Sequence, residues 1–304
     1  MKKQEKMPPG FFLNIQSVYD ALEEYYESIR LFKENNNSCL IGVQYYYGQK
    51  ELDKSYLYLC DGEELERHPF TMKEGYLIVV GECNRSHIVF GCSWIHMKEA
   101  QYSASAMREL FNRIQEIFSK NHICEKKINY ILNHDGTVED ICALARDYFH
   151  NPVFIHDTYY NILAVSEMPE NAMRFAYNNR TGKYTQDAET LNNFRVSKEY
   201  KKTLLTHGGH IWDSDFDESR CIYVNIWQDG VYRGRFILLE LLSSLKTGQL
   251  KDAEYFAEAI RILLERRDIK DNEEQHPLKG IVQDALNGKL PDEANLEMQL
   301  GLFS

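Results

Sequence analysis

The chain has 304 residues, of which 43% are hydrophobic and 27% are charged, and its formal net charge is −11. This length allows two domains of ordinary size, and the composition is typical of a globular protein. Because DNA binding depends on Lys and Arg side chains that neutralise phosphates, the acidic balance argues against DNA binding by these residues.

The cysteines and the short apolar runs bear on localisation. The longest strongly apolar runs, such as residues 77–80, cover only a few residues, whereas a membrane span needs about 20. The first residues lack the apolar region of a secretory signal. Seven cysteines are present without any CxxC pair, which predicts reduced thiols and no disulfide framework. We therefore expect a cytoplasmic protein with no membrane partner.

The N-terminal part predicts a small α/β domain over residues 11–97, after a flexible lead at residues 1–10. Apolar residues recur at helical spacing over residues 14–32, which predicts a helix. Strand-like runs follow, and residues 63–68 predict a short helix between them. Alternation of strands with short helices is typical of an α/β domain. The predicted strands cover residues 40–47, 56–60, 76–81 and 87–91.

Residues 99–132 contain neither Gly nor Pro, and they predict one long connector helix within residues 98–133. Its apolar residues repeat at heptad positions a and d, which favours a coiled-coil seam and a parallel homodimer. Asn121 at position a would fix the register, and Cys124 at position d would lie opposite its own copy. The alternative is a core helix of a single domain. The expected dimerisation residues are Met107, Leu110, Ile114, Ile117, Asn121, Cys124, Ile128 and Ile131.

Residues 134–267 predict a second domain, with a central antiparallel sheet flanked by helices. Thr137 is a plausible cap of a helix that ends at Asn151-Pro152. The strongest predicted strands, residues 221–227 and 232–242, are separated by the hairpin signal Asp229-Gly230. Further strands are expected at residues 153–156 and 162–165, and helices near residues 197–205 and 254–266. Residues 268–304 predict a charged linker and short helices that lead to a further domain. The predicted fold class is therefore α/β (α+β).

The strand at residues 221–227 carries the candidate ligand-binding residues. Successive side chains of a strand point to opposite faces. Tyr223, Asn225 and Trp227 therefore share one face, where aromatic rings and an amide together are typical of a small-molecule pocket. The alternative is an aromatic core with one satisfied Asn.

The candidate motifs for metal binding and catalysis each lack a required residue or the required geometry. The acidic run at residues 213–217 begins like a calcium loop, but Glu218 stands where Gly is required and Val224 where Glu is required. His156 and Asp157 are neighbours on a strand, so their side chains would point to opposite faces and not form a dyad. We expect no catalytic residues, no metal site and no cofactor.

The second half of the chain resembles a known family. The sequence Asn-Pro-Val-Phe-Ile-His-Asp at residues 151–157 resembles the first strand of the GAF-like sensor domain in PucR/CdaR-type bacterial transcription regulators. Residues 222–240, with the Asp229-Gly230 turn, resemble the paired central strands of that domain. Residues 277–301 are similar to the joint that precedes the DNA-binding domain of the family. In the first half, residues 56–61 and 76–81 are similar to the small N-terminal domain of family members.

This resemblance implies the sensory and dimerising region of a cytoplasmic regulator. An unidentified small effector would bind the GAF-like domain, and helices would relay binding to a DNA-binding domain. The C-terminal helix-turn-helix of the family has no counterpart in these residues, so DNA is expected as a partner only through a domain absent from this chain. Two alternatives stay open: a stand-alone GAF-like signalling adaptor, and an enzyme with a site built from polar loops.

Overall fold

The computed structural model describes residues 10–33, 35, 37–88, 91–98, 103–169, 175–179, 182–213 and 219–286, with the backbone alone described for residues 269–286. Two five-stranded sheets, each with its own hydrophobic core, share one long helix. In this part of the chain no helix is both long and apolar enough to cross a membrane.

The first sheet has the strand order β1-β5-β4-β3-β2, with β2 to β5 parallel and β1 antiparallel at the edge. Strand β4 reads Tyr-Leu-Ile-Val-Val because both faces of a parallel sheet are covered, so alternate residues need not be polar. Helix α1 covers one face and the short helix α2 the other. The predicted small α/β domain is confirmed. Its elements are α1 (Ile15–Glu23), β1 (Ile29–Phe32), β2 (Gly42–Tyr45), β3 (Tyr56–Asp61), α2 (Gly62–Arg67), β4 (Tyr76–Val80) and β5 (Ser93–Met97).

Two predicted elements of this domain were wrong. The first helix ends at Glu23 instead of continuing to residue 32, and Ile29–Phe32 instead pairs with β5 as an edge strand. Tyr25 contributed to the helical spacing, but its side chain is 61% exposed, so apolar spacing alone overestimated the helix. The strand predicted at residues 87–91 is displaced: a 3-10 turn covers Arg85–His87, and the strand begins at Ser93.

The predicted connector helix is confirmed as α3 (Ala104–Asn133), which is capped by Ser103. The Ser103 side chain accepts a hydrogen bond from the Ala106 N–H, one of the amides that a helix start leaves without an intrahelical partner. The N-terminal half of α3 packs into the core of the first domain, and its C-terminal half packs into the core of the second. The buried residues of the two halves are Leu110, Ile114 and Phe118, and then Cys124, Ile128 and Leu132.

This packing uses the residues expected in the dimer seam. A side chain buried inside its own chain cannot also pack against a second chain, so a seam dimer would require α3 to leave both domains. This finding does not bear on a homodimer that forms through other surfaces, which stays a prediction. Leu110, Ile114, Asn121, Cys124 and Ile128 are buried, and Met107, Ile117 and Ile131 are partly buried against the same cores.

The second sheet is antiparallel throughout, with the strand order β10-β11-β12-β6-β7. Helices α3, α4 and α7 cover one face. The predicted antiparallel sheet flanked by helices is confirmed, while the small sheet β8-β9 was missed. The elements are α4 (Val138–Phe149), β6 (Val153–Asp157), β7 (Ile162–Val165), β8 (Phe175–Asn178), β9 (Lys183–Gln186), α5 (Ala188–Val196), α6 (Lys198–Thr203), β10 (Gly209–Trp212), β11 (Cys221–Gln228), β12 (Val231–Leu239) and α7 (Gln249–Leu286).

Helix α7 corrects the prediction for the C-terminal part. Its backbone is helical to Leu286, across the linker expected at residues 266–275 and through Pro277. Residues 266–275 contain neither Gly nor Pro, and six of the ten are Glu, Arg, Lys or Gln, which are good helix formers. The helix expected near residues 292–300 lies outside the described residues.

The two domains are in direct contact beside α3. Phe11, ahead of α1, stacks on Tyr255 of α7 with ring centroids 4.5 Å apart, and its backbone N–H donates to the Glu125 carboxylate at 3.0 Å. Phe11 is 4% exposed and belongs to the core of the second domain. Phe11 therefore packs in the core of the second domain, although the residues that follow it in sequence belong to the first domain.

Candidate functional site

The three predicted ligand-binding residues lie on the sheet face opposite α3, α4 and α7, and they contact the segment that follows α6. Asn225 is 4% exposed, and its Nδ2 donates to the Thr203 and Thr206 carbonyls at 2.6 and 3.0 Å. The half-buried Trp227 donates from Nε1 to the same Thr206 carbonyl at 3.1 Å. Tyr223 is also buried, with its hydroxyl 3.3 Å from Thr206 Oγ1. These side chains hold the segment after α6 in place, which is a structural role, and their contact with a ligand stays a prediction.

Arg235 on β12 lies among these side chains, and sequence reasoning missed it. Its guanidinium is buried, with the side chain 3% exposed. Nε donates to Asn225 Oδ1 at 2.8 Å, and Nη2 donates to Thr203 Oγ1 at 2.9 Å. The rings of Tyr223 and Tyr200 lie 4.4 and 5.1 Å from the guanidinium carbon. Among the described residues no carboxylate forms an ion pair with Arg235, so a buried positive charge is held by neutral groups.

His156 on β6 extends the same row of polar side chains. Arg235 is the cross-strand partner of both His156 and Asn225, and directly paired residues share a sheet face. His156 is 1% exposed, and its pKa is lowered to about 4, chiefly by burial and also by the charge of Arg235, while the hydrogen bond to the Asp157 backbone opposes the change. Nδ1 lies 2.7 Å from the Asp157 carbonyl, which assigns the ring proton to Nδ1. Nε2 is then an acceptor, and it makes no hydrogen bond within the described residues.

A β-bulge explains why sequence reasoning missed Arg235. The turn pairs Trp227 with Tyr232, and an uninterrupted hairpin would pair Asn225 with Gly234. The register shifts by one residue between Ile226 and Trp227. Arg235 therefore pairs with Asn225, and its side chain lies on the polar face of the sheet. Gly234 has a φ of +153° and lies against β6, where a Cβ would be 2.2 Å from the His156 carbonyl oxygen. Only glycine fits there.

Aromatic rings pack around the buried cluster of Asn225, Arg235 and His156. Tyr200 of α6 stacks on Phe194 of α5 with centroids 3.9 Å apart. Tyr160 contacts His156, with centroids 5.1 Å apart. Burial raises the pKa of Tyr232 to about 12, while the charge of Arg235 opposes this rise. The cluster therefore combines a cation, a neutral acceptor and aromatic walls.

A separate cavity borders two of the predicted residues. It has a volume of about 540 Å³ and lies at the edge of β11, between the first described residues and α7. Asn225 and Trp227 line it together with Phe11 and Tyr255, but Tyr223 does not. The structure therefore brings the three predicted residues to one sheet face but not to one cavity.

The motifs weighed for chemistry have structural roles where they are described. The Asp157 carboxylate accepts hydrogen bonds from the Tyr159 and Asn161 backbone N–H groups, so it holds the turn after β6. Asp215 and Asp217 lie outside the described residues. Within the described ranges no group of three or more His, Cys, Asp or Glu side chains could hold a metal ion.

No protein-family model and no curated protein matches the chain. Among solved structures, the chain is similar to the cofactor-binding GAF domain of the nutrient sensor CodY from Clostridium difficile. The sequence identity is 15% and the TM-score is 0.34, over 48% of this chain and 96% of that chain. At this identity and TM-score, the likeness supports no inference about a ligand or a role of this chain.

Proposed function

We propose that the second domain is a GAF-like sensor that binds a small carboxylate ligand at Arg235. The observation that carries this proposal is the buried guanidinium without a carboxylate partner among the described residues. A buried, unpaired charge costs several kcal/mol of solvation, and an anionic ligand would offset that cost. Guanidinium groups bind carboxylates through two parallel hydrogen bonds, which adds geometric specificity.

The neighbouring groups narrow the ligand class to hydroxycarboxylates. His156 offers Nε2 as an acceptor, so the ligand needs an O–H donor as well as its anionic group. Because burial holds the pKa of His156 near 4, this ring is neutral at pH 7 and does not compete with Arg235 for the carboxylate. Tyr200 and Tyr223 would contact the apolar part of the ligand. In this proposal the domain binds the ligand without transforming it.

The domain would act within a larger cytoplasmic regulator of the PucR/CdaR type. The sequence resemblance over both halves of the chain supports this assignment, as does the sharing of α3 by the two domains. The protein would be a homodimer and would contact DNA through a helix-turn-helix domain outside these residues, in line with the acidic net charge. A mobility-shift assay of these residues at about 150 mM salt should show no sequence-dependent DNA binding. A saturable, sequence-dependent shift would contradict this expectation.

The ligand class is tested by thermal shift and titration calorimetry on the whole chain. Lactate should stabilise the protein, acetate should do so more weakly, and uncharged 1,2-propanediol should have no effect. Arg235→Lys keeps the charge but loses the two-point contact, so lactate affinity should fall at least about tenfold. Arg233→Lys, a change of the same kind on the same strand, is the matched control and should leave the affinity unchanged. Equal lactate affinity in both variants would contradict the proposal.

A further inference from the structure

A second cavity lies at the junction of the two domains. It has a volume of about 640 Å³ and is bordered by α1, the middle of α3, the end of α4 and the start of α7. Its lining shares no residue with the cluster of Asn225, Arg235 and His156. Its lining includes Asp20, Arg113, Asn121, Tyr148, Lys246 and Asp252.

Two deeply buried side chains in this lining leave hydrogen-bonding atoms unused. Asp252 is 4% exposed; its Oδ2 accepts from the Tyr148 hydroxyl at 3.1 Å, while Oδ1 makes no hydrogen bond within the described residues. Asn121 is 5% exposed, and its amide lies against the same hydroxyl, where it opposes the rise that burial causes in the pKa of Tyr148. Nδ2 carries two N–H groups, and at least one of them is without a partner among the described residues. A buried group without a partner costs about 1–3 kcal/mol. The cavity therefore presents one acceptor and one donor to an occupant.

Two buried acids, Asp20 and Asp252, line the cavity together with the cations Arg113, Lys120 and Lys246. Burial raises the pKa of Asp20, and the charge of Lys246 partly offsets that rise. Asp20 is 8% exposed, and its carboxylate accepts from the Gly248 N–H and from Gln16 Nε2, both at 2.8 Å. Among the described residues neither Asp20 nor Asp252 forms an ion pair. Burial raises the pKa of Asp252 to about 7; the hydrogen bond from Tyr148 opposes this rise, and the charge of Asp20 adds to it. A positively charged occupant would offset the cost of ionising Asp252.

We infer that this cavity binds a small primary-ammonium compound that also carries an oxygen acceptor. The ammonium group donates to Asp252 Oδ1, and the oxygen of the ligand accepts from Asn121 Nδ2. Tyr148 fixes the orientation of Asp252 through its own hydrogen bond. The inference does not depend on the ligand proposed at Arg235, because the two sites share no residue.

Ligand binding here would couple the two domains. Asp20 belongs to the first domain and Asp252 to the second, and Asn121 lies on α3 between the halves that pack into each core. A ligand that bridges Asn121 on α3 and Asp252 on α7, in a cavity that α1 also borders, stabilises the arrangement in which these elements meet over any in which they separate. The protein would then respond to a second ligand, bound at a site distinct from the one proposed at Arg235.

The pH dependence of binding involves every titratable or charged group that faces Asp252 or the cavity. Because ammonium binding favours the ionised carboxylate, binding near pH 7 should release up to one proton. Besides Asp252 itself, these groups are Asp20 from α1, Glu24 and Tyr25 directly after it, Arg113, Glu116, Lys120 and Cys124 from α3, Tyr148 from α4, His150 after it, and Lys246 before α7.

Ethanolamine and choline form a matched pair of probes for this site. Both carry a cation and a hydroxyl oxygen, but choline has no N–H donor. At about pH 8, where Asp252 is ionised, millimolar ethanolamine should raise the melting temperature of the whole chain and choline should not. Asp252→Asn should weaken ethanolamine binding at least about tenfold. Asp147→Asn, which changes an exposed acid on α4, should leave binding unchanged. Calorimetry in two buffers of different ionisation enthalpy should report the released proton.

Three outcomes would overturn the inference. The first is no shift with ethanolamine, the second is an equal shift with choline, and the third is unchanged ethanolamine affinity in Asp252→Asn. If that variant does not fold, the wild type at about pH 5.5 replaces it, because Asp252 is then protonated and affinity should again fall about tenfold. Unchanged affinity at that pH would equally contradict the inference.

Discussion

The Asp20 carboxylate accepts a hydrogen bond from the Gly248 N–H at 2.8 Å, although 228 residues separate the two in sequence. The Gly248 carbonyl in turn accepts from Asn14 Nδ2 at 3.3 Å and from Ser17 Oγ at 3.1 Å. Both polar backbone groups of one residue in the second domain are thus bound by the first domain. Lys246 adds an ion pair to Glu23 at 3.2 Å. The relative position of the domains is therefore set by directional contacts as well as by α3.

Gly248→Ala should destabilise this junction. A Cβ at this position would lie 2.5 Å from Ser17 Cα and 2.6 Å from Ser17 N, and backbone atoms cannot move aside as a flexible side chain can. We expect a loss of about 1–3 kcal/mol in the free energy of unfolding, measured by urea denaturation. Gly230→Ala is the comparison, because its Cβ meets nothing within 4 Å and only its φ of +76° is strained. A smaller loss at Gly248 than at Gly230 would show that the approach to Ser17 is not tight.

Asp252→Asn should remove a pH dependence of stability. The folded protein binds a proton at Asp252 between pH 3.8 and about pH 7 that the unfolded chain does not bind. The free energy of unfolding therefore falls as pH rises through this window, by up to about 1.4 kcal/mol per pH unit. Asn does not titrate, so the variant should gain stability relative to the wild type between pH 5 and 7. Asp147→Asn should follow the wild type, and parallel curves for Asp252→Asn would contradict the raised pKa.

His156→Gln should change stability with the opposite sign. The pKa of His156 is lowered from 6.5 to about 4, so in that window the unfolded chain binds a proton that the folded protein does not. Stability contributed by the neutral imidazole is therefore present above pH 6.5 and lost as pH falls towards 4. The stability of the wild type relative to His156→Gln should decrease over this range. Denaturation at several pH values measures it, and His207→Gln at an exposed position is the control.

Cys124 should resist both labelling and cross-linking. The sequence predicted that a parallel dimer would place two copies of Cys124 opposite each other. Cys124 is instead 4% exposed, and burial raises the pKa of its thiol to about 12, so the reactive thiolate is scarce. Mild oxidation should give no Cys124-linked dimer. Native-state maleimide labelling should fall in Cys39→Ser, which removes the exposed thiol and leaves the partly exposed Cys83, and it should be unchanged in Cys124→Ser. A Cys124 disulfide would restore the seam prediction.

The long helix and the two sheets could be predicted because their signals are local. An uninterrupted heptad pattern over 99–132 indicated α3, and the Asp229-Gly230 turn indicated the hairpin of β11 and β12. What covers an apolar stripe is not a local property. The same spacing suits a partner chain or two domains of the same chain, and here Ile114 and Ile128 pack into different cores of one chain.

The candidate site was predicted in part, for a similar reason. Alternation along β11 placed Tyr223, Asn225 and Trp227 on one face, which the structure retains. Arg235 was missed because one extra residue in the hairpin decides which face it occupies, and a bulge leaves only a weak trace in sequence. Gly234 was that trace, since glycine inside a strand often marks a bulge or a close backbone approach. Asp252 gave no such signal, because its burial depends on helices that are remote in sequence.

Helix α3 has 30 residues and is about 45 Å long, and each domain covers only half of it. If one half of α3 unfolded locally, it would lose its packing against one domain, while the other half would stay packed in the other domain. The free energy of opening the whole helix therefore includes the interactions of both domains with α3. Because α3 is one continuous helix, a displacement of it in one domain is transmitted to the other domain. The slowest-exchanging amide protons of the protein should accordingly lie near the centre of α3, around Asn121, and they should exchange only when both domains unfold together.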